Sequence, residues 1–116
     1  MQLPEDGVLL RIFLGEDDKA GHLPLYEAIV LKAREMALAG ATVIRGPMGF
    51  GHSSLIHTTK VLRLSEDLPL ILEIVDRAEK IDAFLPVLKG MMAGGLVTLE
   101  KVKIFQYGSQ QLRKTG

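Results

Sequence analysis

The sequence contains no cysteine and no tryptophan. Disulfide staples, thiol catalysis and Cys-ligated zinc are therefore excluded. Aromatic residues make up only 5% of the chain, and 14 basic residues cancel 14 acidic ones to a formal net charge of zero. Such a chain has neither the basic footprint nor the stacking platforms of a nucleic-acid binder, so no nucleic-acid partner is expected. It also has no run of about 18 apolar residues, so no membrane-spanning helix and no direct membrane insertion are expected. The opening MQLPEDG carries acidic residues, with neither a positive region nor an apolar stretch, and does not read as a secretory signal. Together these absences give the expectation of a soluble, cytoplasmic protein.

What is present is a strand-and-helix alternation. In VLLRIFL (8–14), Val8, Leu10, Ile12 and Leu14 share one face of a strand, and Leu9, Arg11 and Phe13 the other. After the polar loop GEDDKAGH, residues 24–39 read as an amphipathic helix. Pro24 stands at its start and Gly40 just past its end, with Ile29, Val30, Ala33, Met36 and Ala37 at helical spacing. ATVIRG (41–46) reads as a short second strand. The loop 47–67 separates it from a third strand, LPLILEIVD (68–76), whose Leu68, Leu70, Leu72 and Ile74 form an apolar face. A second helix is expected over 77–92, kinked or divided by Pro86. Gly94 and Gly95 end it, and VTLEKVKIFQY (97–107) follows as a fourth strand, with a phase shift between Leu99 and Val102 that suggests a bulge.

The order βαββαβ implies an α+β, ferredoxin-like sandwich: a four-stranded antiparallel sheet with two helices on one face and the first and third strands central. One domain is expected over 1–116, with a core at about 8–107, a mobile loop at about 47–67 and a C-terminal tail at 108–116. The helix-free face then carries Leu9, Phe13, Ile71 and Val75, enough apolar surface to predict self-association across it. Arg11 and Glu73 fall on that face on adjacent antiparallel strands, where they either pair or are solvated separately.

Candidate chemistry centres on RGPMGFGHSS (45–54), one letter away from a nucleotide-gripping P-loop. The match fails physically. Pro47 has no amide to offer a phosphate, His52 replaces the lysine, and P-loop folds usually need roughly 150 residues or more. The remaining readings are a glycine-rich turn leaving the sheet, or a backbone at Gly49 and Gly51 open to close approach by a ligand. His52 and His57 are five residues apart, off a common strand or helix face, so no metal site is expected. A small enzyme using His52 or His57 as acid or base, and a structural partner subunit that docks without any ligand, are the rival functional readings.

GFGH (49–52) and LEIVD, with Glu73, in a βαββαβ chain resemble the PII nitrogen-regulatory signalling proteins. LRIFLGEDDK, PLYEAIV, GATVIRG, IHT and LSEDLP extend the resemblance, over about residues 8–107, to the PII-like proteins. The resemblance implies a homotrimer that binds an adenine nucleotide in clefts between subunits, a regulatory role without catalysis, and a 47–67 loop that docks on a partner protein, a membrane transporter or an enzyme. It places Gly49, Phe50, Gly51 and His52 at the root of that loop, Glu73 and Val75 near the adenine, and Gly94 and Gly95 at a phosphate-binding turn. Glu73 thus carries two expectations, which agree where the cleft lies at the edge of the self-association face. GGLVTL lacks the lysine of the PII phosphate segment, so AMP or ADP is expected at least as readily as ATP. Ser53 stands where PII proteins use a glutamine with magnesium and 2-oxoglutarate, and no tyrosine occurs between Met48 and Asp67. Neither 2-oxoglutarate sensing nor tyrosine modification is expected.

Overall fold

The computed structural model describes residues 5–47 and 68–108. Its elements are β1 (Glu5–Gly15), β2 (Lys19–Ala20), β3 (Leu23–Pro24), α1 (Leu25–Glu35), β4 (Thr42–Arg45), β5 (Pro69–Asp76), α2 (Ala78–Met91) and β6 (Leu96–Ile104). Four strands form one antiparallel sheet in the order β4-β5-β1-β6. This is the expected ferredoxin-like sandwich, with the two most apolar strands in the centre.

Alternation decides which face is covered. Leu10 pairs with Ile74, Ile12 with Leu72 and Leu14 with Leu70, and all six side chains are buried. Onto them α1 lays Leu25, Ile29 and Ala33, and α2 lays Ile81, Phe84 and Leu88. Each fully buried large apolar side chain contributes about 1.5–3 kcal/mol, so this layer dominates the stability of the sandwich.

Helix α1 stops at Glu35, short of the expected Ala39, and the left-handed residue is Ala37 (φ 61°) rather than Gly40. The Ala37 N–H donates to Arg34 O and the Leu38 N–H to Ala33 O, both at 3.0 Å, which is the Schellman pattern. Leu38 and Ala33 are both buried. Burial of Leu38 against the helix therefore sets the stop, and outweighs the usual preference for glycine at this position. Pro86 sits inside an unbroken α2. Both Pro86 and Asp82 are exposed, so the carbonyl freed by the missing N–H lies toward water and the helix is not divided.

Two further expectations are corrected. The loop GEDDKAGH contains part of a short hairpin, Lys19 opposite Pro24 and Ala20 opposite Leu23, turned by Gly21 at φ 64° followed by His22. The fourth strand has no bulge, since its pairing runs without interruption from Phe13↔Leu96 to Glu5↔Ile104. Val97 and Leu99 pair with Ile12 and Leu10 and so share the helix side. Val102 pairs with Gly7 and shares the other side. An edge strand exposes both of its faces, so its apolar residues need not keep one phase.

Candidate functional site

The helix-free face is built from cross-strand rows. Ile44, Ile71, Phe13 and Leu96 lie in one row, and Thr42, Glu73, Arg11 and Thr98 in the next. Val75, Leu9 and Glu100 form a third. The apolar set expected on this face falls in two rows, Phe13 with Ile71 and Leu9 with Val75, on either side of the polar row. Arg11 Nε donates to Glu73 Oε2 at 2.8 Å, and Arg11 Nη1 reaches Glu100 Oε1 at 3.4 Å. The bond to Glu73 holds the guanidinium above its ordinary pKa, so Arg11 remains a cation throughout the working range.

At one end of this face the sheet opens into a groove of about 750 Å³. Its walls are the connection Ala39–Thr42, the β5 residues Glu73, Val75 and Asp76, and the chain from Val102 to Tyr107. Three bonds hold the connection from α1 to β4 in place. Asp76 Oδ2 accepts the Ala39 N–H at 2.9 Å, Tyr107 donates its hydroxyl to Ala39 O at 3.0 Å, and Lys80 Nζ donates to Met36 O at 3.2 Å. Asp76 is 5% exposed and also accepts the Arg77 N–H, at 2.7 Å, on Oδ1. A buried carboxylate is retained where both oxygens are satisfied, and here backbone donors satisfy them. Lys103, on the groove wall, donates to Asp6 Oδ1 at 2.6 Å, and this bond lowers the Asp6 pKa below its ordinary value.

The opposite end of the sheet carries the remaining candidates. The loop stems leave there, with the Gly46 N–H bonded to Pro69 O and the Glu16 N–H to Leu68 O, both at 2.8 Å. Gly94 and Gly95 form the turn into β6 at the same end. Gly95 has φ 98°, and a Cβ there would stand 2.8 Å from Phe13 O, so only glycine fits. Within one chain this turn and the β4 stem lie on opposite edges of the sheet, three strand spacings or about 14 Å apart, while the β5 stem is two spacings from the turn, about 9.5 Å.

Of the residues expected from the sequence, the structure brings Glu73 and Val75 together on the groove wall and sets Gly94 and Gly95 at the far end. Gly49, Phe50, Gly51 and His52, like His57, lie outside the described residues. Glu73 belongs both to the groove and to the polar row of the helix-free face. Thr42, Asp76, Phe105 and Tyr107 line the groove without having been singled out from the sequence. A signal was present for the last two, since they are two of only six aromatic residues in the chain and fall where the apolar alternation of β6 ends. Among the described residues no cluster of three or more His, Asp or Glu side chains is placed to hold a metal ion. None of their helices is long and apolar enough to cross a membrane.

Comparison with known proteins adds the following. The family model DUF190, described as Uncharacterized ACR, COG1993, matches residues 7–104. A UPF0166 protein of Aquifex aeolicus is 42% identical over 96 residues, covering 83% of this chain and 90% of its own. A UPF0166 protein of Methanocaldococcus jannaschii is 31% identical over 99 residues, covering 84% and 91%. Among solved structures, a Thermus thermophilus protein described as PII-like superposes with a TM-score of 0.61 at 16% identity, over 90% of this chain and 93% of the other. CPII of Thiomonas intermedia, bound to ADP and bicarbonate, gives a TM-score of 0.56 at 15% identity, over 86% and 89%. At these identities the two structures establish a shared PII-like fold.

Proposed function

The chain belongs to the DUF190 family and has the fold of PII-like proteins, and from this we propose that it is a non-catalytic regulatory protein that binds an adenine nucleotide between subunits of a homotrimer. The observation that carries the reading is the groove at the edge of the helix-free face, which contains both Glu73 and Val75, in a fold whose neighbour CPII is bound to ADP in one structure and to ADP and AMP in another.

Assembly supplies what one chain lacks. The apolar rows of the helix-free face suit contact with further copies, since apolar surface of this extent is seldom left in water. In an assembly the groove of one subunit meets the Gly94–Gly95 turn and the loop root at Gly49, Phe50, Gly51 and His52 of another. The 47–67 loop then reports occupancy to a partner protein, a transporter or an enzyme. A ligand that favours one arrangement of the loop changes docking by its difference in affinity for the two arrangements.

The test is a thermal-shift series with AMP, ADP and ATP, read alongside the sedimentation of the protein. Ligand at one hundred times Kd adds about 2.7 kcal/mol to the stability of the bound form, which raises the melting temperature by several degrees. Absence of a shift with all three nucleotides overturns the reading. In the same samples a monomer at micromolar concentration overturns the assembly.

A further inference from the structure

We propose that Phe105 and Tyr107 form an aromatic wall for the purine base, making the groove a nucleoside subsite whose ligand carries its phosphates out of it. This deepens the nucleotide-binding reading above and rests on it. Phe105 is 59% exposed and Tyr107 46% exposed, although rings in an aromatic-poor chain have ample reason to be buried. Both line the groove. The Tyr107 ring is not free to wander, because its hydroxyl is bonded to Ala39 O at 3.0 Å. A planar apolar surface is therefore held ready before any ligand arrives. The volume, about 750 Å³, lies in the range of pockets that enclose small organic ligands.

Charge selects which part of a nucleotide enters. The ionisable residues of the wall are Glu73, Asp76 and Lys103, with the Tyr107 hydroxyl already bonded to backbone. The Lys103 ammonium is engaged by Asp6, and both oxygens of Asp76 accept backbone N–H groups. No uncommitted cation is left in the described lining for a phosphate. A neutral heterocycle meets no such obstacle. Glu73 gives one oxygen, Oε2, to Arg11, and its Oε1 makes no hydrogen bond among the described residues. That oxygen is an acceptor for an exocyclic amino group, which adenine carries and hypoxanthine does not. Stacking on the rings and one amino donor to Glu73 together select an amino-purine base over a sugar phosphate.

The experiment is calorimetric titration of the full chain with adenosine, inosine, AMP and ribose 5-phosphate, repeated on Phe105→Ala and Phe105→Tyr. The expected result is adenosine within about tenfold of AMP, inosine weaker, and no binding of ribose 5-phosphate. Phe105→Ala weakens adenosine and AMP by the same factor, about tenfold for loss of one stacked ring, and Phe105→Tyr restores them. Thermal melts of the variants match the wild type, since Phe105 is outside the core. AMP binding unchanged in Phe105→Ala, or ribose 5-phosphate binding as tightly as AMP, overturns the subsite while leaving nucleotide binding in place. Failure of the wild type to bind any adenine compound overturns the broader reading instead.

Discussion

Replacement of Asp76 by alanine is expected to destabilise the protein far more than a change at the end of a strand usually does. The side chain is 5% exposed and accepts two backbone N–H groups, from Ala39 at 2.9 Å and Arg77 at 2.7 Å. A hydrogen bond to a charged acceptor is worth about 1.5–3 kcal/mol net. Ala39 is half-buried, so its orphaned N–H bears most of that loss. Arg77 is exposed, and water can replace its acceptor at smaller cost. Arg77 also caps α2, so the carboxylate favours the helix N-terminus by a further 0.3–1 kcal/mol or so. The expected total is about 2–4 kcal/mol, or a melting point lower by roughly 10 °C for a domain of this size. Asp76→Asn should recover only part of this, because its one carbonyl can accept the Ala39 N–H while its NH2 would face the Arg77 N–H. Urea unfolding followed by circular dichroism, at fixed protein concentration because association adds to apparent stability, measures both variants. A loss below about 0.5 kcal/mol in Asp76→Ala, the range of ordinary surface substitutions, refutes the assignment of Asp76 as the anchor of the α1–β4 connection.

Gly95→Ala should cost about 2 kcal/mol or more, since alanine at φ 98° is strained and its Cβ meets the Phe13 carbonyl oxygen at 2.8 Å; chemical denaturation checks the loss. Ala37→Gly should stabilise the protein by about 0.5–1 kcal/mol, because relief of the left-handed alanine at φ 61° exceeds the added entropy of glycine in the unfolded chain, and a lowered denaturation midpoint would contradict it. The Asp6–Lys103 pair depresses the Asp6 carboxyl pKa. Its contribution is therefore present above the ordinary carboxylate pKa and is lost as the pH falls through the lowered folded-state value. The stability difference between wild type and Asp6→Asn should accordingly shrink in acid and in about 1 M salt; a difference that grows on acidification would reverse the sign of this argument.

Much of the sandwich was legible because its cause is local and periodic. The alternation in Val8–Leu14 and Leu68–Ile74 identifies two central strands, and their register follows once they are antiparallel. The sequence thus set Arg11 beside Glu73 and left open whether they pair or are solvated separately; the structure shows the bond, at 2.8 Å. Glu73 and Val75 carried a resemblance signal and do share one wall of a groove. Legibility failed where a long-range contact overrides a local preference. Gly40 looked like the helix terminator, but burial of Leu38 placed the stop at Ala37. The phase shift in β6 looked like a bulge, but an edge position tolerates apolar residues on both faces.

Periodicity and chain order alone establish the two-layer βαββαβ sandwich, its central strands and the apolar character of the helix-free face, because solvent exclusion acts on each element through its own repeat. The groove is another matter. Asp76, Ala39 and Tyr107 are distant in sequence, and nothing local ties any one of them to another. The hydrogen bonds from Ala39 to Asp76 and from Tyr107 to Ala39 join them only after pairing with β1 has brought the last residues of β5 and β6 to the same end of the sheet. Such contacts have no repeat to read, since their partners are chosen by the closed geometry of the sheet rather than by any neighbour along the chain.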